Sequence, residues 1–346
     1  MLYECLRPLL FRLEPELAHE VSLHALAALS RLGAANPLKQ RLPDAPVKAM
    51  GLTFPNPVGL AAGLDKNGQC VDGFGDLGFG FIEVGTVTPL PQPGNPKPRL
   101  FRLVEHEALI NRMGFNNLGV DRLLGNIAHR RFRGPLGINI GKNLSTSLEN
   151  AQDDYRIALR KVYTHADYIA LNVSSPNTPG LRGLQSGDAL RVLLSAVVDE
   201  RARLSDETGR QVPLAVKLAP DVDDGQLPFT LDILLRFGID AVIATNTTLS
   251  RNNVETSRHA GETGGLSGRP LFERSTQIVA QISGHVSGAL PVIASGGIFN
   301  AEDAMAKFLA GANLVQVYTG FIYRGPALIA EVISRYASGF SAIRSL

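Results

Sequence analysis

The most regular feature of the chain, from residue 56 onward, is a repeat of short apolar runs. Each run ends in Gly, Asn, Thr, Ser or Lys and is followed by a helix-like segment. The apolar residues of a run are continuous rather than alternating, as in strands that are buried on both faces of a parallel sheet. Eight such strands alternating with helices predict an α/β fold of the (β/α)8 TIM barrel type, with a doubly wound sheet as the alternative. The predicted strands are PVGLAAG (57–63), FGFIEVGT (79–86), PLGINIGK (135–142), DYIALNVS (167–174), PLAVKLAP (213–220), DAVIATNTT (240–248), PVIASGGI (291–298) and NLVQVYTG (313–320), and the predicted helices include 150–165, 187–204, 223–237, 272–283 and 301–310.

Residues 1–40 have a different pattern, which predicts two helices ahead of the barrel. Pro15 suits an early position in the second helix. Two interpretations are open: a helical pair docked on the main domain, or an apolar pair that opens toward lipid. The predicted organisation is an N-terminal helical segment, 1–40, and a barrel domain, 41–346. The apolar residues near helical spacing are Leu2, Leu6, Leu9 and Leu10 in the first helix and Leu17, Val21, Leu26 and Leu29 in the second.

Composition and charge exclude several classes of protein. The 346 residues are 45% hydrophobic and 19% charged, and a formal net charge of +2 gives no global attraction to nucleic acid. Cys5 and Cys70 have no metal-binding spacing, so neither a disulfide framework nor a cysteine metal site is expected. No secretory signal is apparent, and the longest stretch without Asp, Glu, Lys or Arg, 282–301, is broken by Gly, Ser and Pro. We expect a protein that is soluble or lies on a membrane surface.

One apparent dinucleotide-binding motif lacks the context that it needs. GFGDLG (73–78) matches the pattern GxGxxG. It precedes a predicted strand instead of following one, whereas a dinucleotide-binding loop connects a strand to the next helix. We interpret this segment as a helix end and a turn.

The C-terminal ends of the predicted strands, where a barrel carries its active site, are rich in neutral amides. Asn139, Asn172, Asn177 and Asn246 suit a flat ligand with N–H and C=O edges, because each amide both donates and accepts. A single asparagine at a strand end is usually a turn former. Four of them at one end of a barrel favour ligand binding.

Charged groups at these strand ends are few. Lys66 and Lys217 suit anionic parts of a ligand. Histidine and cysteine are missing there and acids are scarce, so a metal site is not expected. Asp65 is the one carboxylate nearby, and a lone aspartate most often anchors neighbouring groups.

Glycine-rich segments follow the late strands: GGLSGRP (264–270), SGGI (295–298) and YTG (318–320). Loops after the last two strands are the usual phosphate site of a barrel, and glycine allows backbone N–H groups to approach phosphate oxygens closely. A phosphate-bearing ligand is therefore predicted, and tight loops without a ligand are the alternative.

A predicted hairpin lies outside the eight-strand pattern. In RLFRLVEHEALI (99–110), two apolar stretches are separated by EHE. Such a hairpin would carry Asn111, Met113 and Phe115 of the following segment toward the mouth of the barrel.

Long motifs in the correct order resemble the dihydroorotate dehydrogenases of the membrane-associated, quinone-using type (class 2). The resemblance covers essentially the whole chain, and its joint signal is highly specific. The segments that carry it are GLAAGLDKNG (59–68), EVGTVTPLPQPGNPKPR (83–99), NRMGFNN (111–117), NVSSPNTPGLRGLQ (172–185), VKLAPD (216–221), TNTT (245–248), GGLSGRPL (264–271) and LVQVYTGFIYRGP (314–326).

The resemblance implies an FMN-dependent oxidation of (S)-dihydroorotate to orotate in pyrimidine synthesis, with a quinone as electron acceptor. Ser175 would be the catalytic base that removes a proton from the carbon next to the one that bears the carboxylate. Lys217 would stabilise negative charge on the reduced flavin. The implied substrate residues are Lys66, Asn111, Arg112, Met113, Gly114, Phe115, Asn172, Asn177, Asn246 and Thr247. The implied FMN residues are Ala61, Ala62, Gly63, Leu64, Asp65, Thr86, Asn139, Asn172, Lys217 and Thr245, with the phosphate at Gly268, Gly297, Tyr318 and Thr319.

Two features favour class 2 within this family. The base position holds Ser175, where the cytosolic class 1 relatives have cysteine, and the N-terminal helices, which class 1 lacks, are present. By the same resemblance, His19, Arg102 and Tyr318 would lie near the quinone head group. The helical pair would form its passage, with the protein peripheral on the cytoplasmic face of a bacterial cell membrane. Departures from the family pattern, Ser295 in ASGGI and YTG in place of YSG, leave the cofactor prediction unchanged.

Two other functions stay open at this point. Lys217 lies where a Schiff-base aldolase of this fold would place its nucleophile, and the glycine-rich loops would then bind a substrate phosphate. A non-catalytic flavin or membrane-surface protein is the other possibility, although the intact NVSSPN segment and Lys66 argue against it.

Overall fold

The apolar runs form a closed eight-stranded barrel in the computed structural model, which describes residues 2–185 and 187–339. All of its strand pairs are parallel. In chain order, the strands of the described residues are β1 Val47–Ala49, β2 Leu52–Phe54, β3 Val58–Leu60, β4 Phe81–Val87, β5 Leu100–Leu103, β6 Ala108–Asn111, β7 Leu136–Ile140, β8 Tyr168–Asn172, β9 Leu214–Leu218, β10 Ala241–Ala244, β11 Gly265–Gly268, β12 Val292–Ser295 and β13 Leu314–Val317. The barrel order is β3, β4, β7, β8, β9, β10, β12 and β13, which pairs again with β3. The (β/α)8 prediction is therefore confirmed, and each of its eight strands is one of the predicted runs.

Helices occupy the connections between the barrel strands. The five predicted barrel helices are all present, with ends that differ by a few residues from the predicted ones. GFGDLG is a helix end followed by a turn, as interpreted from its position before β4. The helices are α1 Leu2–Leu10, α2 Pro15–Ser30, α3 Val71–Asp76, α4 Val120–Ile127, α5 Ala151–Val162, α6 Gly187–Thr208, α7 Gln226–Arg236, α8 Phe272–Val286, α9 Ala301–Leu309, α10 Thr319–Arg324 and α11 Ala327–Ala337, with 3-10 turns at Gly33–Ala35, Val104–His106, Leu181–Gln185 and Arg269–Leu271.

The barrel interior is filled by side chains from several strands. Every residue of β4, β7, β8 and β9 is buried, as expected for strands covered on both faces. Phe81 of β4 contacts Tyr168 of β8 edge-on, with 6.5 Å between ring centroids. Phe54 packs on Phe81 from below at 5.1 Å, because the antiparallel pair β1–β2 closes the N-terminal end of the barrel. The sequence patterns did not indicate this short pair.

A three-stranded sheet stands beside the C-terminal mouth of the barrel. The predicted hairpin is confirmed as β5 and β6, which pair antiparallel. Its third strand, β11, pairs antiparallel with β6 and comes from the segment GGLSGRP. The prediction of a loop across 264–270 was therefore wrong for its first half. Glycine content indicated a loop, whereas pairing with β6 holds the backbone extended.

The two N-terminal helices are present and pack against one side of the barrel. Pro15 lies in the first turn of α2, as predicted, and the carboxylate of Glu14 accepts the N–H of Leu17 at 2.8 Å. Helix α2 packs on α3 and β5, and α1 packs on α10. Within the described ranges, no helix is both long enough and apolar enough to span a bilayer.

Candidate active site and adjoining cavity

A cavity opens at the C-terminal ends of the barrel strands, and we call it the strand-end cavity. It lies where a barrel normally carries its active site. Most of the residues predicted from the sequence come together in its wall. These are Ala61, Ala62, Gly63, Lys66, Thr86, Asn111, Met113, Gly114, Phe115, Asn172, Ser175, Asn177, Lys217, Thr245, Asn246, Thr247, Gly268, Gly297, Tyr318 and Thr319.

Two predicted site residues have side chains that face away from this cavity. Arg112 follows Asn111 at the end of β6 and alternates to the opposite side. Its guanidinium pairs with Glu262 at 2.6 Å and lies over the Phe101 ring at 4.6 Å. Leu64 lines a second cavity, described below. A contact of Arg112 or Leu64 with a ligand in the strand-end cavity would therefore involve the backbone of these residues.

Asp65 and Asn139 support the strand-end cavity from behind without lining it. The Asp65 carboxylate is fully buried and accepts the backbone N–H groups of Gln69 at 2.9 Å and Cys70 at 2.7 Å, so it anchors its own loop. Asn139 is also fully buried, and its carbonyl oxygen accepts the Thr86 hydroxyl at 2.6 Å. Asp65 therefore stabilises the loop that follows β3, and Asn139 orients the Thr86 hydroxyl at the cavity wall.

Ser175 lies at the cavity wall with 6% of its surface exposed. Its hydroxyl oxygen accepts the backbone N–H of Asn177 at 3.3 Å. Among the described residues, no imidazole, carboxylate or ammonium group makes a hydrogen bond to this hydroxyl. Any base chemistry at Ser175 therefore differs from the relay of a serine hydrolase.

Asn111 and Asn177 form a pair at the cavity mouth. The Asn177 amide donates to the Asn111 carbonyl oxygen at 3.0 Å, which joins the loop after β8 to the end of β6. Asn95 holds the two segments together, because its amide donates to the backbone oxygens of Arg112, next to Asn111, at 2.9 Å and of Asn177 at 3.3 Å.

Lys66 brings a buried ammonium group to the same mouth. Its Nζ donates to Asn116 Oδ1 at 2.8 Å. Burial, with a contribution from the nearby Arg99 charge, lowers the pKa of Lys66 to about 8. An anionic ligand group beside it would raise this pKa again and stabilise the charged form.

Lys217 is the cation at the cavity floor. It lies on β9 with 6% of its surface exposed, and burial lowers its pKa, an effect that Glu83 of β4 opposes. Lys217 makes no hydrogen bond or ion pair within 2–185 and 187–339. An unpaired ammonium group facing a cavity suits a polar or anionic ligand edge.

Glycines form the rim of the cavity near the last two strands, where the neighbouring backbone packs too closely for a side chain. A Cβ on Gly297 would lie 2.4 Å from Phe272 Cα, and one on Gly268 would lie 2.3 Å from the Glu107 backbone oxygen. Both residues have positive φ, at +76° and +104°, so their backbones form a concave edge without side chains. Thr319 adds a hydroxyl that donates to Ser267 at 2.9 Å. These residues fit the predicted phosphate group.

Sequence reasoning missed several residues of the cavity and its support. Arg182, at the end of the loop after β8, donates to the Ser174 backbone oxygen at 3.3 Å and to the Thr247 backbone oxygen at 3.0 Å. It also pairs with Asp221 at 2.8 Å, so it ties three strand-end loops together. The motif containing Arg182 was recognised, but its spacing alone gave no sign of this role. The cavity is also lined by Leu271, Gln316 and Val317, which were not predicted, and by residues of the predicted glycine-rich segments that were not named singly: Ser267, Ser295, Gly296, Ile298 and Gly320.

A second cavity, of about 840 Å³, lies between the N-terminal helices and the barrel, and we call it the helix cavity. Its wall is mostly apolar and includes the predicted His19, Arg102 and Tyr318. Burial, the dominant effect, lowers the pKa of His19 to about 4, so its imidazole is neutral at physiological pH. The Arg102 guanidinium donates to the Leu13 backbone oxygen at 2.8 Å and lies over the Phe11 ring at 4.9 Å. This cavity suits an apolar ligand with a small polar head group.

The two cavities share a thin wall. Tyr318 lines both, and its ring approaches the position of a Cβ on Gly63 to 3.2 Å. Gly63 lines the strand-end cavity, whereas its neighbour Leu64 lines the helix cavity. A ligand in one cavity is therefore separated from the other by about one side chain.

The described part of the chain contains no cluster of three or more His, Cys, Asp or Glu side chains that could hold a metal ion. The donor set of the strand-end cavity consists of amides, hydroxyls, lysines and backbone groups. Such donors suit an organic ligand with amide and phosphate groups.

Comparison with known proteins identifies the family. Residues 45–338 match the family model described as "Dihydroorotate dehydrogenase". The chain is 61% identical over 333 residues to the "Dihydroorotate dehydrogenase (quinone)" of Methylococcus capsulatus, covering 96% of this chain and 98% of the relative. It is 57% identical over 337 residues to the protein of the same name from Pseudomonas putida KT2440, covering 97% of this chain and 99% of that one. Among solved structures, DHODH from Eimeria tenella in complex with ferulenol is 41% identical with a TM-score of 0.87, covering 96% of this chain and 93% of the other.

Because the family model covers most of its length and the similarity to quinone-dependent relatives extends over nearly all of it, the chain belongs to the dihydroorotate dehydrogenase family, in its quinone-dependent class.

Proposed function

We propose that this protein carries out the reaction of its family, the oxidation of (S)-dihydroorotate to orotate in pyrimidine (UMP) biosynthesis, in the strand-end cavity with FMN as cofactor and Ser175 as base. The observation that carries the proposal is the composition of this cavity. Amides, glycines and two lysines surround a serine that has no acidic or basic partner.

FMN is the cofactor that the cavity suits best. The chemistry that FMN would supply there is acceptance of a hydride and transfer of its electrons to a quinone. The glycine rim at Gly268 and Gly297 would hold its phosphate, and Lys217 would hold a polar edge of the ring. Lys217 would then hold the flavin ring by a hydrogen bond and would not form a Schiff base with a substrate. The matching family model and relatives are dihydroorotate dehydrogenases and not aldolases.

The substrate is assigned to the side of the cavity that carries Lys66. Its ammonium group would pair with the carboxylate, which makes Lys66 the main determinant of charge recognition. The Asn111–Asn177 pair and the nearby Asn172 and Asn246 would bind the N–H and C=O edges of the ring. The backbone around Met113 and Gly114 would close the mouth over it.

Ser175 is assigned as the base because, among residues 173–185 after β8, it is the one whose hydroxyl reaches the cavity wall. Its neighbour Ser174 is fully buried and accepts the Asn246 amide at 3.0 Å instead. The N–H of Asn177 holds the Ser175 oxygen in place and favours negative charge on it. A hydroxyl held in this way can remove a carbon-bound proton once its own proton has left.

The quinone is assigned to the helix cavity. Its apolar walls suit a long tail, and the neutral His19 imidazole and the Arg102 guanidinium supply a donor and a charge for a carbonyl head group. The exposed Leu6, at 44%, and Leu9, at 58%, lie at the outer side of this cavity. We therefore propose peripheral attachment to the cytoplasmic face of the cell membrane through α1 and α2.

Anaerobic bleaching of the flavin by dihydroorotate tests cofactor and substrate together. The purified protein should be yellow, should lose its absorbance on addition of dihydroorotate, and should regain it with a quinone but not with fumarate. A colourless protein would remove FMN from the proposal, and reoxidation by fumarate would remove the quinone.

A further inference from the structure

Glu83 is a fully buried carboxylate beneath the strand-end cavity to which the proposed reaction gives no role. It projects from β4 and receives three side-chain donors from three other barrel strands. Asn139 Nδ2 donates to Oε1 at 2.8 Å, Tyr168 OH donates to Oε2 at 2.8 Å, and Gln316 Nε2 donates to Oε2 at 2.7 Å. A carboxylate is costly to bury even with such partners, so its retention here indicates a use beyond packing.

A continuous chain of hydrogen bonds leads from Glu83 toward the cavity. Asn139 gives its N–H to Glu83, and its carbonyl oxygen accepts the Thr86 hydroxyl at 2.6 Å. The Thr86 oxygen in turn accepts an amide N–H of Asn172 at 2.8 Å. Thr86 and Asn172 line the cavity, whereas Glu83 and Asn139 lie behind it.

The hydrogen-bond chain continues across the cavity wall to the loop after β10. The Asn172 carbonyl oxygen accepts the Asn246 amide at 3.2 Å, and the Asn246 carbonyl oxygen accepts the backbone N–H of Thr247 at 2.8 Å. Every member therefore donates in one direction, toward Glu83. Asn139, Asn172 and Asn246 therefore belong to one directed chain, which is separate from the Asn111–Asn177 pair at the mouth.

The direction of this chain follows from its two ends. An ionised carboxylate can only accept, so the Asn139 amide must turn its NH₂ group toward Glu83. A backbone N–H can only donate, so the Asn246 carbonyl must turn toward Thr247. Asparagine side chains have nearly the same shape in both orientations, and only such partners distinguish them. The intervening Thr86 and Asn172 take the one arrangement that is consistent with both ends.

We propose that Glu83 is a positioning residue that fixes the hydrogen-bond direction of the chain Asn139–Thr86–Asn172–Asn246 and thereby determines which amide groups the site presents to the substrate ring. The inference rests on the proposed function, since the ring it concerns is that of orotate. With the direction fixed, Asn172 turns its amide nitrogen toward Thr86 and keeps its second amide hydrogen for a ligand at a defined position. Reversal of the chain would exchange donors for acceptors at the ligand and oppose binding.

The substitution Glu83→Gln tests this role, because an amide has the size of the carboxylate but can donate as well as accept. We expect the variant to retain FMN and to bind orotate about tenfold more weakly, as measured by titration of the flavin absorbance. Tyr168→Phe is the matched control, because it removes one donor to the same carboxylate but leaves the charge and the direction. Its dissociation constant for orotate should stay within about threefold of that of the unmodified protein.

A double-mutant cycle distinguishes the directed chain from a general packing effect. Thr86→Val interrupts the chain between Glu83 and Asn172, so Glu83→Gln should add less than about twofold to the loss that Thr86→Val already causes. If the increase in the orotate dissociation constant of the double variant equals the product of the increases in the two single variants, the inference is overturned. An unchanged dissociation constant in folded, flavin-loaded Glu83→Gln would overturn it as well.

A second variant keeps the test decisive if Glu83→Gln does not fold. Asn139→Leu leaves the carboxylate in place but breaks the chain at a side chain that does not line the cavity. We again expect about tenfold weaker orotate binding, and an unchanged dissociation constant would overturn the inference. If the unmodified protein binds no orotate, the proposed function fails and this inference with it. If the unmodified protein and the variants all bind orotate with the same dissociation constant, the inference about Glu83 is overturned but the proposed function is not.

Discussion

At the scale of single residues, the strand-end cavity combines burial with neutral hydrogen bonds instead of strong acids and bases. Ser175 has a backbone N–H as its partner, Lys66 has an amide oxygen, and Lys217 has none among the described residues. Groups in such surroundings have shifted proton affinities and unused hydrogen-bonding capacity, which a ligand can take up. The predictions at this scale therefore concern proton transfer and charge.

Replacement of Ser175 by alanine should separate folding and cofactor binding from proton removal. The hydroxyl makes one hydrogen bond, to the Asn177 N–H, so its loss should leave FMN content unchanged. The rate of flavin reduction by dihydroorotate near pH 7 should fall roughly a hundredfold or more, because the base is gone. Stopped-flow absorbance under anaerobic conditions measures this rate.

Ser175→Cys is the matched variant, because a thiol can also act as a base. It should retain part of the activity, with a pH profile that follows the thiol. Near-normal flavin reduction in the alanine variant would show that another group removes the proton.

Lys66 should make substrate affinity dependent on pH. Its pKa is lowered to about 8 chiefly by burial, so the ammonium group is charged below pH 8 and neutral above it. The KM for dihydroorotate should therefore rise by up to about tenfold per pH unit above 8. The kcat should change less, because the bound carboxylate raises the pKa of the lysine in the complex.

Lys66→Arg provides the control for this pH dependence. A guanidinium stays charged through this range, so the rise in KM above pH 8 should disappear even if the absolute KM is higher. A KM for the unmodified protein that is constant between pH 7 and pH 9.5 would reassign the carboxylate to another group.

At the scale of elements, the N-terminal helices are tied to the loop beside the Asn111–Asn177 pair at the mouth of the strand-end cavity. Arg99 is buried and pairs with Glu16 of α2 at 2.6 Å, while its other nitrogen donates to the backbone oxygens of Pro93 at 2.6 Å and Asn95 at 2.8 Å. Asn95 then holds the loops of Arg112 and Asn177. Removal of residues 1–40 would leave Arg99 buried without its carboxylate. A point substitution in α2 therefore tests a quinone role more cleanly than a deletion.

Ala18 of α2 offers such a test, because it is buried and lines the helix cavity. Ala18→Phe should fill part of that cavity and slow quinone reduction, while flavin reduction by dihydroorotate stays normal. A clash of about 1–3 kcal/mol corresponds to a loss of roughly tenfold to a hundredfold. Ala28→Phe is the control, since Ala28 is exposed on the same helix and does not line the cavity. Equal losses in both half-reactions would contradict the assignment of the helix cavity.

The sequence was informative where its pattern was long and regular. Continuous apolar runs predicted all eight barrel strands, and their polar ends predicted most of the cavity wall, because a parallel barrel gathers those ends at one face. The pair β1–β2 and the strand β11 were missed, because they stand outside the repeat of apolar runs and helices, and half of the residues of β11 are glycine. The outward turn of Arg112 and the position of Asn139 behind Thr86 depend on side-chain packing across strands, which no local pattern records.

At the scale of the whole molecule, the fold places two chemically different cavities on either side of one thin wall. The strand-end cavity is polar and reached from the barrel mouth, whereas the helix cavity is apolar and bordered by α1 and α2. Tyr318 belongs to both. This arrangement allows a polar ligand and an apolar ligand to reach the two sides of this wall from separate environments.

Membrane contact through α1 is the prediction that belongs to this scale. Leu6 and Leu9 are 44% and 58% exposed beside the helix cavity, so they would transfer from water to lipid when the protein binds a bilayer. Full burial of a leucine contributes about 1.5–3 kcal/mol, so the double substitution Leu6→Glu with Leu9→Glu should lower vesicle partitioning at least about tenfold.

Co-sedimentation with vesicles measures the partitioning, and turnover with a vesicle-embedded long-tailed quinone should fall in parallel. Turnover with a water-soluble quinone should fall less, because such a quinone reaches the helix cavity from water, although Leu6 and Leu9 form part of its outer wall. Leu309→Glu is the control, since Leu309 is 73% exposed on α9 and does not line the helix cavity. If the leucine pair and Leu309 behave alike on vesicles, attachment does not occur through α1.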